Sequence, residues 1–263
     1  MAAAVTKREV FVTALSTDDY LPGVLVLNRT ICETCLHRLY VLAARNLAEQ
    51  TYEALRRSGI PYETVDDIPF NSGLLSGMDP VFTHWAKTFI KIRLFGLTQY
   101  DKIVFIDSDI MVLEALDDLF MRPDISAVIA GKSFPGNSSW RDFNSGVLVA
   151  VPRHGTEDRL IEAIHQVAAN TRSFGDQDVL NAWFTGWASD ERLHLPEEYN
   201  VFFDHYQYYA KHGGVKAVHF IGKTKPWMMR RRDVPGQILR CFVKGNPGGV
   251  RVLLRYFRYL KEL

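Results

Sequence analysis

The sequence predicts an α/β fold in which a mainly parallel, twisted sheet is flanked by helices. Short apolar strands alternate with helix-like segments through the first hundred residues, and this alternation is typical of parallel sheets covered by helices. The run Lys102–Ile106 is apolar from its second residue onward, as expected for a strand buried on both faces. No repeat, low-complexity tract or linker interrupts the 263 residues, so we expect one domain over residues 1–263.

The elements before residue 70 are predicted from apolar runs and helical periodicity. The second helix ends at Gly59-Ile60-Pro61, because proline cannot continue a helix. In chain order we predict a strand at Val10–Leu15, a helix at Gly23–Thr30, a strand at Arg38–Ala43, a helix at Glu49–Gly59 and a strand at Tyr62–Ile68.

The elements after residue 80 continue the pattern and end in a basic helical segment over residues 228–263. The first of them is an amphipathic helix, Trp85–Leu97, with an apolar face formed by Trp85, Phe89, Ile92 and Phe95. The others are strands at Lys102–Ile106, Ile125–Ala130 and Gly146–Val151, and helices at Glu157–Ala169 and Val250–Leu263.

The composition indicates a soluble cytoplasmic protein. No run of 18 apolar residues and no signal-peptide-like start is present, so we expect no membrane span and no membrane partner. The chain has only three cysteines, Cys32, Cys35 and Cys241, which suits a reducing compartment.

Charge is unevenly distributed although the formal net charge is +1. From Lys223 onward there are 11 basic and two acidic residues, whereas the preceding residues carry 20 basic and 28 acidic groups, a net charge of −8. A basic tail suits nucleic acid, phosphate or an acidic partner, or it forms a solvated helix that complements the acidic body. Because no nucleic-acid-binding motif accompanies the tail, we expect no nucleic-acid partner.

Two aspartates, Asp107 and Asp109, follow the apolar strand Lys102–Ile106. Side chains two residues apart on a strand point to the same face, and ligands of open α/β sheets bind at the carboxyl ends of strands. Carboxylate oxygens suit Mg²⁺ or Mn²⁺, and such an ion neutralises the charge on a departing nucleotide. The alternative interpretation is a solvated turn that caps a helix beginning at Ile110.

An apolar strand followed by D-x-D is also typical of haloacid-dehalogenase-type phosphatases. That fold places the motif on its first strand, with Thr or Val two residues after the second aspartate. Here about a hundred residues of α/β chain come first, and Met111 occupies the Thr/Val position. Both departures disfavour a phosphatase.

A series of short motifs occurs in a fixed order between Val10 and Trp227. They include Val104-Phe105-Ile106-Asp107-Ser108-Asp109, Phe143-Asn144-Ser145-Gly146-Val147, Gly175-Asp176-Gln177-Asp178, Tyr199-Asn200 and His219-Phe220-Ile221-Gly222-Lys223-Thr224-Lys225-Pro226-Trp227. In these motifs the chain resembles glycogenin and its relatives in glycosyltransferase family 8, a retaining family. The resemblance implies a GT-A fold with a Rossmann-like nucleotide-sugar-binding half, a catalytic core over about residues 10–227, and hexose transfer from a UDP-sugar.

The resemblance also implies a role for each matched residue. Asp107, Asp109 and His219 would bind Mn²⁺ (or Mg²⁺). Lys91, Asp176 and Gln177 would be catalytic, with Asp176 orienting the sugar. The donor would also contact Ala14, Ser16, Tyr20, Lys91, Asp107, Ser108, Asn144, Ser145, Gly222 and Lys225, where Tyr20 stacks on the uracil and Gly222 and Lys225 meet the diphosphate. Alternatively, Tyr20 is a strand-end aromatic and Lys91 a surface residue of an amphipathic helix.

Retention usually indicates a double displacement through an enzyme nucleophile, but the sequence offers no unambiguous nucleophile. The alternative is front-side attack, in which a diphosphate oxygen takes the acceptor's proton and the protein supplies electrostatic stabilisation.

The acceptor is inferred from departures from glycogenin. The loop before Gly175 is shorter, and no long extension follows Trp227. In these respects the chain resembles the compact cytoplasmic α-galactosyltransferases of protists, which modify the glycan on the adaptor subunit of SCF ubiquitin ligases. This implies α-transfer of galactose, or glucose, to a glycoprotein or oligosaccharide acceptor by a homodimer. Two alternatives stay open: a self-glucosylating initiator using Tyr206, Tyr208 or Tyr209, and a non-catalytic UDP-sugar-binding scaffold.

Overall fold

The computed structural model describes residues 7–68, 86–170 and 174–263. Nine strands form two sheets in these ranges: β1 Glu9–Leu15, β2 Leu39–Ala44, β3 Tyr62–Val65, β4 Lys102–Ile106, β5 Ile110–Val112, β6 Ser126–Val128, β7 Asn144–Ala150, β8 Val201–Phe202 and β9 Ala217–His219. The α-helices are α1 Leu21–Thr34, α2 Glu49–Arg57, α3 Thr156–Asn170, α4 Asp176–Trp183, α5 Tyr206–His212, α6 Val234–Val243 and α7 Pro247–Glu262. No helix within the described ranges is long and apolar enough to cross a bilayer.

The larger sheet has six strands in the order β3-β2-β1-β4-β7-β6. β3, β2, β1 and β4 are parallel, which confirms the prediction for the first half of the chain. The predicted strand at Gly146–Val151 is present as β7, which is antiparallel to both β4 and β6, so the sheet is mainly but not wholly parallel. The chain adds β2 and β3 on one side of β1 and then crosses to add β4 on the other side. Open α/β sheets bind ligands at such a reversal of strand order.

The smaller sheet, β5-β9-β8, was not predicted. Its strands are two or three residues long, too short to give a sequence signal. Residues 107–109 connect β4 of the large sheet to β5 of the small one. The D-x-D segment therefore lies where the two sheets meet, and Ile110 begins a strand rather than a helix.

The segment predicted as an amphipathic α-helix is a 3₁₀ helix, Ala86–Gly96. Side chains three apart are aligned in a 3₁₀ helix, so Phe89, Ile92 and Phe95 form one row, and all three are buried. The fourth residue of the predicted face, Trp85, lies outside the described residues. Strands β3 and β6 end earlier than predicted, at Val65 and Val128.

The basic C-terminal segment forms helices α6 and α7. Asn246 caps α7 by accepting a hydrogen bond from Gly249 N at 3.2 Å, and Pro247 occupies the first turn, where a missing N–H costs nothing. Helix α7 buries Val252, Leu253 and Tyr256 against α1, α5, α6 and the turn Pro226–Met228. One face of this helix is therefore part of the core.

Candidate active site

Asp107, Asp109 and His219 converge at the junction of the two sheets. β5 and β9 are antiparallel with Ile110 opposite His219, so the histidine lies beside the D-x-D segment. His219 Nε2 is 3.1 Å from Asp109 Oδ1 and 3.9 Å from Asp107 Oδ2. One ligand atom from each residue lies within 4.8 Å of the others. The three side chains can therefore share one cation.

The other nitrogen of His219 is fixed by Asn200, which is fully buried. His219 Nδ1 is 2.9 Å from Asn200 Oδ1, and Asn200 Nδ2 donates to Asn144 Oδ1 at 2.8 Å. Since an amide oxygen only accepts, Nδ1 carries a proton, and Nε2, which faces the two aspartates, is the nitrogen that binds a metal once it carries no proton itself. Such an outer contact orients a histidine for metal binding.

Gly146 provides the space that the histidine occupies. A Cβ at this position would lie 2.6 Å from His219 Cε1 and 2.8 Å from Asn144 Oδ1. Only a residue without a side chain fits there, so Gly146 on β7 fixes how closely His219 approaches the large sheet.

Lys91 is buried between two carboxylates. Its Nζ is 3.0 Å from Asp107 Oδ1 and 2.8 Å from Asp176 Oδ2, and it donates to Ser145 Oγ at 3.0 Å. Burial lowers the pKa of Lys91, but Asp107 and Asp176 outweigh burial and raise it above the usual lysine value. Lys91 is therefore a fixed positive charge in the site, and the surface-residue alternative is wrong.

Asp176 is the first residue of α4 and is held as an anion. Its Oδ2 accepts from Ser145 Oγ at 2.7 Å and from Lys91. Burial opposes ionisation, but Lys91 and Ser145 keep the pKa of Asp176 below its ordinary value.

The two aspartates of the D-x-D segment differ in protonation tendency. Burial raises the pKa of Asp107, with Lys91 opposing and Asp109 reinforcing the shift. Burial also raises the pKa of Asp109, but His219 and Lys225 outweigh burial and hold that pKa well below the ordinary range. Lys225 Nζ donates to Asp109 Oδ2 at 2.5 Å and to Phe220 O at 2.9 Å. A second buried lysine thus contacts the D-x-D segment, at Asp109 rather than at Asp107.

Gln177 is hydrogen-bonded to Asn144 and Ser145, two of the predicted donor-binding residues. Its Oε1 accepts from Asn144 Nδ2 at 3.0 Å and from Ser145 N at 3.3 Å. With the oxygen engaged, the Gln177 Nε2 group is the part left to meet a ligand.

An aromatic pair lies at the end of β1 that faces this cluster. Tyr20 contacts Trp227 edge to face with ring centroids 5.5 Å apart, and Trp227 Nε1 donates to Asp19 O at 2.7 Å. Burial, followed by Asp109, Asp19 and Asp107, raises the pKa of Tyr20 to about 12. Tyr20 is thus close enough to the carboxylates to respond to their charge.

The structure assembles most of the predicted site. Asp107, Asp109, His219, Lys91, Lys225, Asn144, Ser145, Asp176 and Gln177 form one connected network. Ala14 and Ser16 lie at the carboxyl end of β1, and Ser108 is buried within the D-x-D segment. Gly222 lies on an exposed turn with φ of +99°. Asn200, Gly146 and Trp227 had no predicted role, although each belongs to a quoted motif.

Comparison with known proteins agrees with this geometry. The sequence profile "Glycosyl transferase family 8" matches residues 12–230. The chain belongs to glycosyltransferase family 8. In this family it is 35% identical to "Glycogenin-1" of Mus musculus over 237 residues, which cover 83% of this chain and 65% of that protein. It is 30% identical to "UDP-glucuronate:xylan alpha-glucuronosyltransferase 2" of Arabidopsis thaliana, covering 86% of this chain and 36% of the relative.

A solved structure supports the family 8 fold. The galactosyltransferase LgtC, solved with donor and acceptor sugar analogs, superposes with a TM-score of 0.65 at 20% identity, covering 97% of this chain and 96% of LgtC. The likeness establishes the GT-A fold implied by the sequence motifs. The chain spans about two thirds or less of its curated relatives' length, 65% for the mouse glycogenin. The phosphatase alternative is wrong, since the D-x-D segment follows the fourth strand of a family 8 enzyme fold.

Proposed function

We propose that the chain is a retaining, Mn²⁺-dependent hexosyltransferase that uses a UDP-sugar donor. The observation that carries this proposal is the ligand set of Asp107, Asp109 and His219 flanked by two buried lysines. Family membership supports sugar transfer, and the name of the Arabidopsis relative includes a uridine-diphosphate sugar acid. We further propose that the described elements act as one domain.

The donor set fits a divalent first-row ion. Two carboxylates supply hard oxygens, and His219 presents the nitrogen that is not bonded to Asn200. This combination of oxygens and imidazole suits Mn²⁺. A bound ion would act as a Lewis acid toward the diphosphate. The chemistry supports Mn²⁺ or Mg²⁺ and excludes a thiolate site, since no cysteine belongs to the cluster.

The lysines supply the remaining positive charge. Lys225 contacts Asp109 on one side of the cluster, and Lys91 contacts Asp107 on the other. A leaving UDP gains negative charge as the bond to the sugar breaks, and cations already fixed in place stabilise that charge without reorganising. Because both lysines are buried, this stabilisation is less screened than it would be in water.

Asp176 is proposed to orient the sugar rather than to attack it. The Oδ2 atom of Asp176 is engaged by Lys91 and Ser145, which lowers its nucleophilicity. A front-side mechanism needs no protein nucleophile: the leaving phosphate oxygen accepts the acceptor's proton as the new glycosidic bond forms. Gln177, with its Nε2 group directed away from Asn144 and Ser145, is proposed to hold the sugar or acceptor.

The acceptor is proposed to be a protein-linked glycan in the cytoplasm, specifically the glycan on the SCF ubiquitin-ligase adaptor, with galactose favoured over glucose as donor. This part rests on the motif resemblance to the protist α-galactosyltransferases. Galactose and glucose differ at one hydroxyl, so one or two pocket hydrogen bonds decide between them.

The experiment is a panel of UDP-sugars with Mn²⁺, in which UDP release is measured with and without glycan acceptors. We expect release with UDP-galactose or UDP-glucose, its loss with chelator, and its loss in His219→Gln. His194→Gln is the matched control, because His194 contacts Trp187 and lies outside the cluster. A wild-type chain that releases no UDP from any donor would overturn the proposal and favour the scaffold alternative.

A second candidate function is self-glucosylation, favoured by the 35% identity to mouse glycogenin. Tyr206 and Tyr208 are the candidate acceptors, since Tyr209 is buried and its hydroxyl donates to Glu197. Intact mass after incubation with UDP-glucose would then show added hexoses that disappear in Tyr206→Phe/Tyr208→Phe but persist in Tyr209→Phe. An unchanged wild-type mass eliminates this function.

A further inference from the structure

Tyr256 of helix α7 is buried next to the candidate donor site, in a part of the chain that the family profile does not cover. The profile ends at residue 230, and none of the motifs above extends past Trp227. Tyr256 has no exposed surface, and its hydroxyl has no hydrogen-bond partner within the described ranges.

The ring of Tyr256 contacts both ends of the loop 220–227, which carries Lys225. Its centroid is 5.1 Å from that of Phe220, edge to face, and 6.1 Å from that of Trp227, nearly parallel. Between these two aromatic residues, Lys225 Nζ reaches Asp109. The position of this loop relative to the D-x-D segment therefore depends on the packing of Tyr256.

Of the two neighbouring aromatic residues, Phe220 bonds to the D-x-D segment, and Trp227 packs against the same glycine as that segment. Phe220 N donates to Asp109 O at 3.0 Å. Trp227 and the Ser108 carbonyl lie against the same bare face of Gly23, since a Cβ there would be 2.7 Å from the indole and 2.5 Å from Ser108 O. Tyr256 is thus one ring contact away from the backbone of Asp109 through Phe220, and one ring contact away, through Trp227, from the glycine against which Ser108 packs.

The lone hydroxyl is the feature that packing does not explain. A buried polar group without a partner is destabilising, and phenylalanine would fill the same space without that penalty. Burial raises the pKa of this hydroxyl, and the Asp109 carboxylate adds to the shift. An unpartnered donor on a ring that packs against the loop carrying Lys225 can be satisfied by the contents of the loaded site.

We propose that Tyr256 is a positioning residue of the donor site. Its ring fixes the loop 220–227, and its hydroxyl donates a hydrogen bond into the site once a divalent ion and nucleotide are bound. This inference rests on the proposed function and adds the C-terminal helix to the donor-binding machinery.

The test compares Tyr256→Phe with Tyr259→Phe on the same helix. Tyr259 is also buried, but its hydroxyl is already bonded to Glu33 and Arg255. Mn²⁺ binding is measured by calorimetry in the presence of UDP, and the melting temperature is measured without either. Outer contacts of metal ligands typically change metal affinity by about 10–100-fold.

For Tyr256→Phe we expect Mn²⁺ affinity to fall about tenfold, with an unchanged or higher melting temperature because the unpartnered hydroxyl is gone. For Tyr259→Phe we expect a lower melting temperature and wild-type Mn²⁺ affinity. Wild-type Mn²⁺ affinity in Tyr256→Phe would overturn the inference and leave the proposed function intact. A wild-type protein that binds neither Mn²⁺ nor UDP would instead overturn the proposed function itself.

Discussion

Replacing Asn200 by leucine tests how the imidazole of His219 is prepared for metal binding. Asn200 Oδ1 faces His219 Nδ1 at 2.9 Å, and the Asn200 amide is oriented by its bond to Asn144. Leucine has a similar volume but cannot accept a proton donor. The substitution therefore removes the acceptor and leaves the size of the buried side chain nearly unchanged.

The expected magnitude follows from what happens to the Nδ1 proton. If the proton stays on Nδ1, a buried donor is left without a partner, at about 1–3 kcal/mol. If the proton moves to Nε2, the nitrogen that faces Asp109 can no longer bind an ion until the tautomer is reversed. Asn144 Oδ1 still accepts from Gly146 N at 3.0 Å, so no second unpartnered group arises there. We expect Mn²⁺ affinity to fall by about 5- to 150-fold, the equivalent of 1–3 kcal/mol.

The assay is Mn²⁺ titration by calorimetry at neutral pH, with a thermal melt to verify folding. Asn200→Asp should recover most of the affinity, because it restores an oxygen opposite Nδ1. Asp117→Asn is the control for general damage, since the Asp117 carboxylate bonds to Leu36 and His37 and not to the cluster. A folded Asn200→Leu protein that binds Mn²⁺ as tightly as wild type would refute the reasoning.

Three further predictions follow from the same contacts. Lys91→Met should lower the free energy of unfolding by about 3–5 kcal/mol at neutral pH, because it leaves Asp107 and Asp176 buried without their cation; urea denaturation measures this, and an unchanged midpoint contradicts it. Gly146→Ala should displace His219, because the new methyl group would lie 2.6 Å from His219 Cε1. We expect the free energy of unfolding to fall by about 1–3 kcal/mol and the folded variant to bind Mn²⁺ more weakly than wild type. Mn²⁺ affinity equal to that of wild type would argue against the close approach of Gly146 and His219. Mn²⁺ affinity should decrease as pH falls from neutral, and the decrease should begin above the pH range in which an ordinary aspartate titrates. The reason is that the pKa of Asp107 is raised and only the deprotonated carboxylate binds a metal. A pH-independent affinity between neutrality and the ordinary carboxyl range contradicts the raised pKa of Asp107.

The sequence by itself determined the parallel half of the sheet and the position of the acidic pair. Strand-forming runs such as Lys102–Ile106 are local signals, since a strand buried on both faces must be apolar along its length. The same run placed Asp107 and Asp109 at a carboxyl end, where open sheets bind ligands. Both predictions are confirmed by the observed strands and by the metal-compatible cluster, whereas the predicted domain limits and donor contacts stay predictions.

Only the tertiary structure decided how distant residues meet. His219 reaches Asp109 because two three-residue strands pair in one register, and such short strands carry no periodicity to detect. Periodicity showed Lys91 only as one lysine of an amphipathic segment, and its predicted role came from the family resemblance. The structure places Lys91, within a 3₁₀ helix, between Asp107 and Asp176. A contact between residues about a hundred positions apart is set by the packing of whole elements, and no local preference of either residue specifies it.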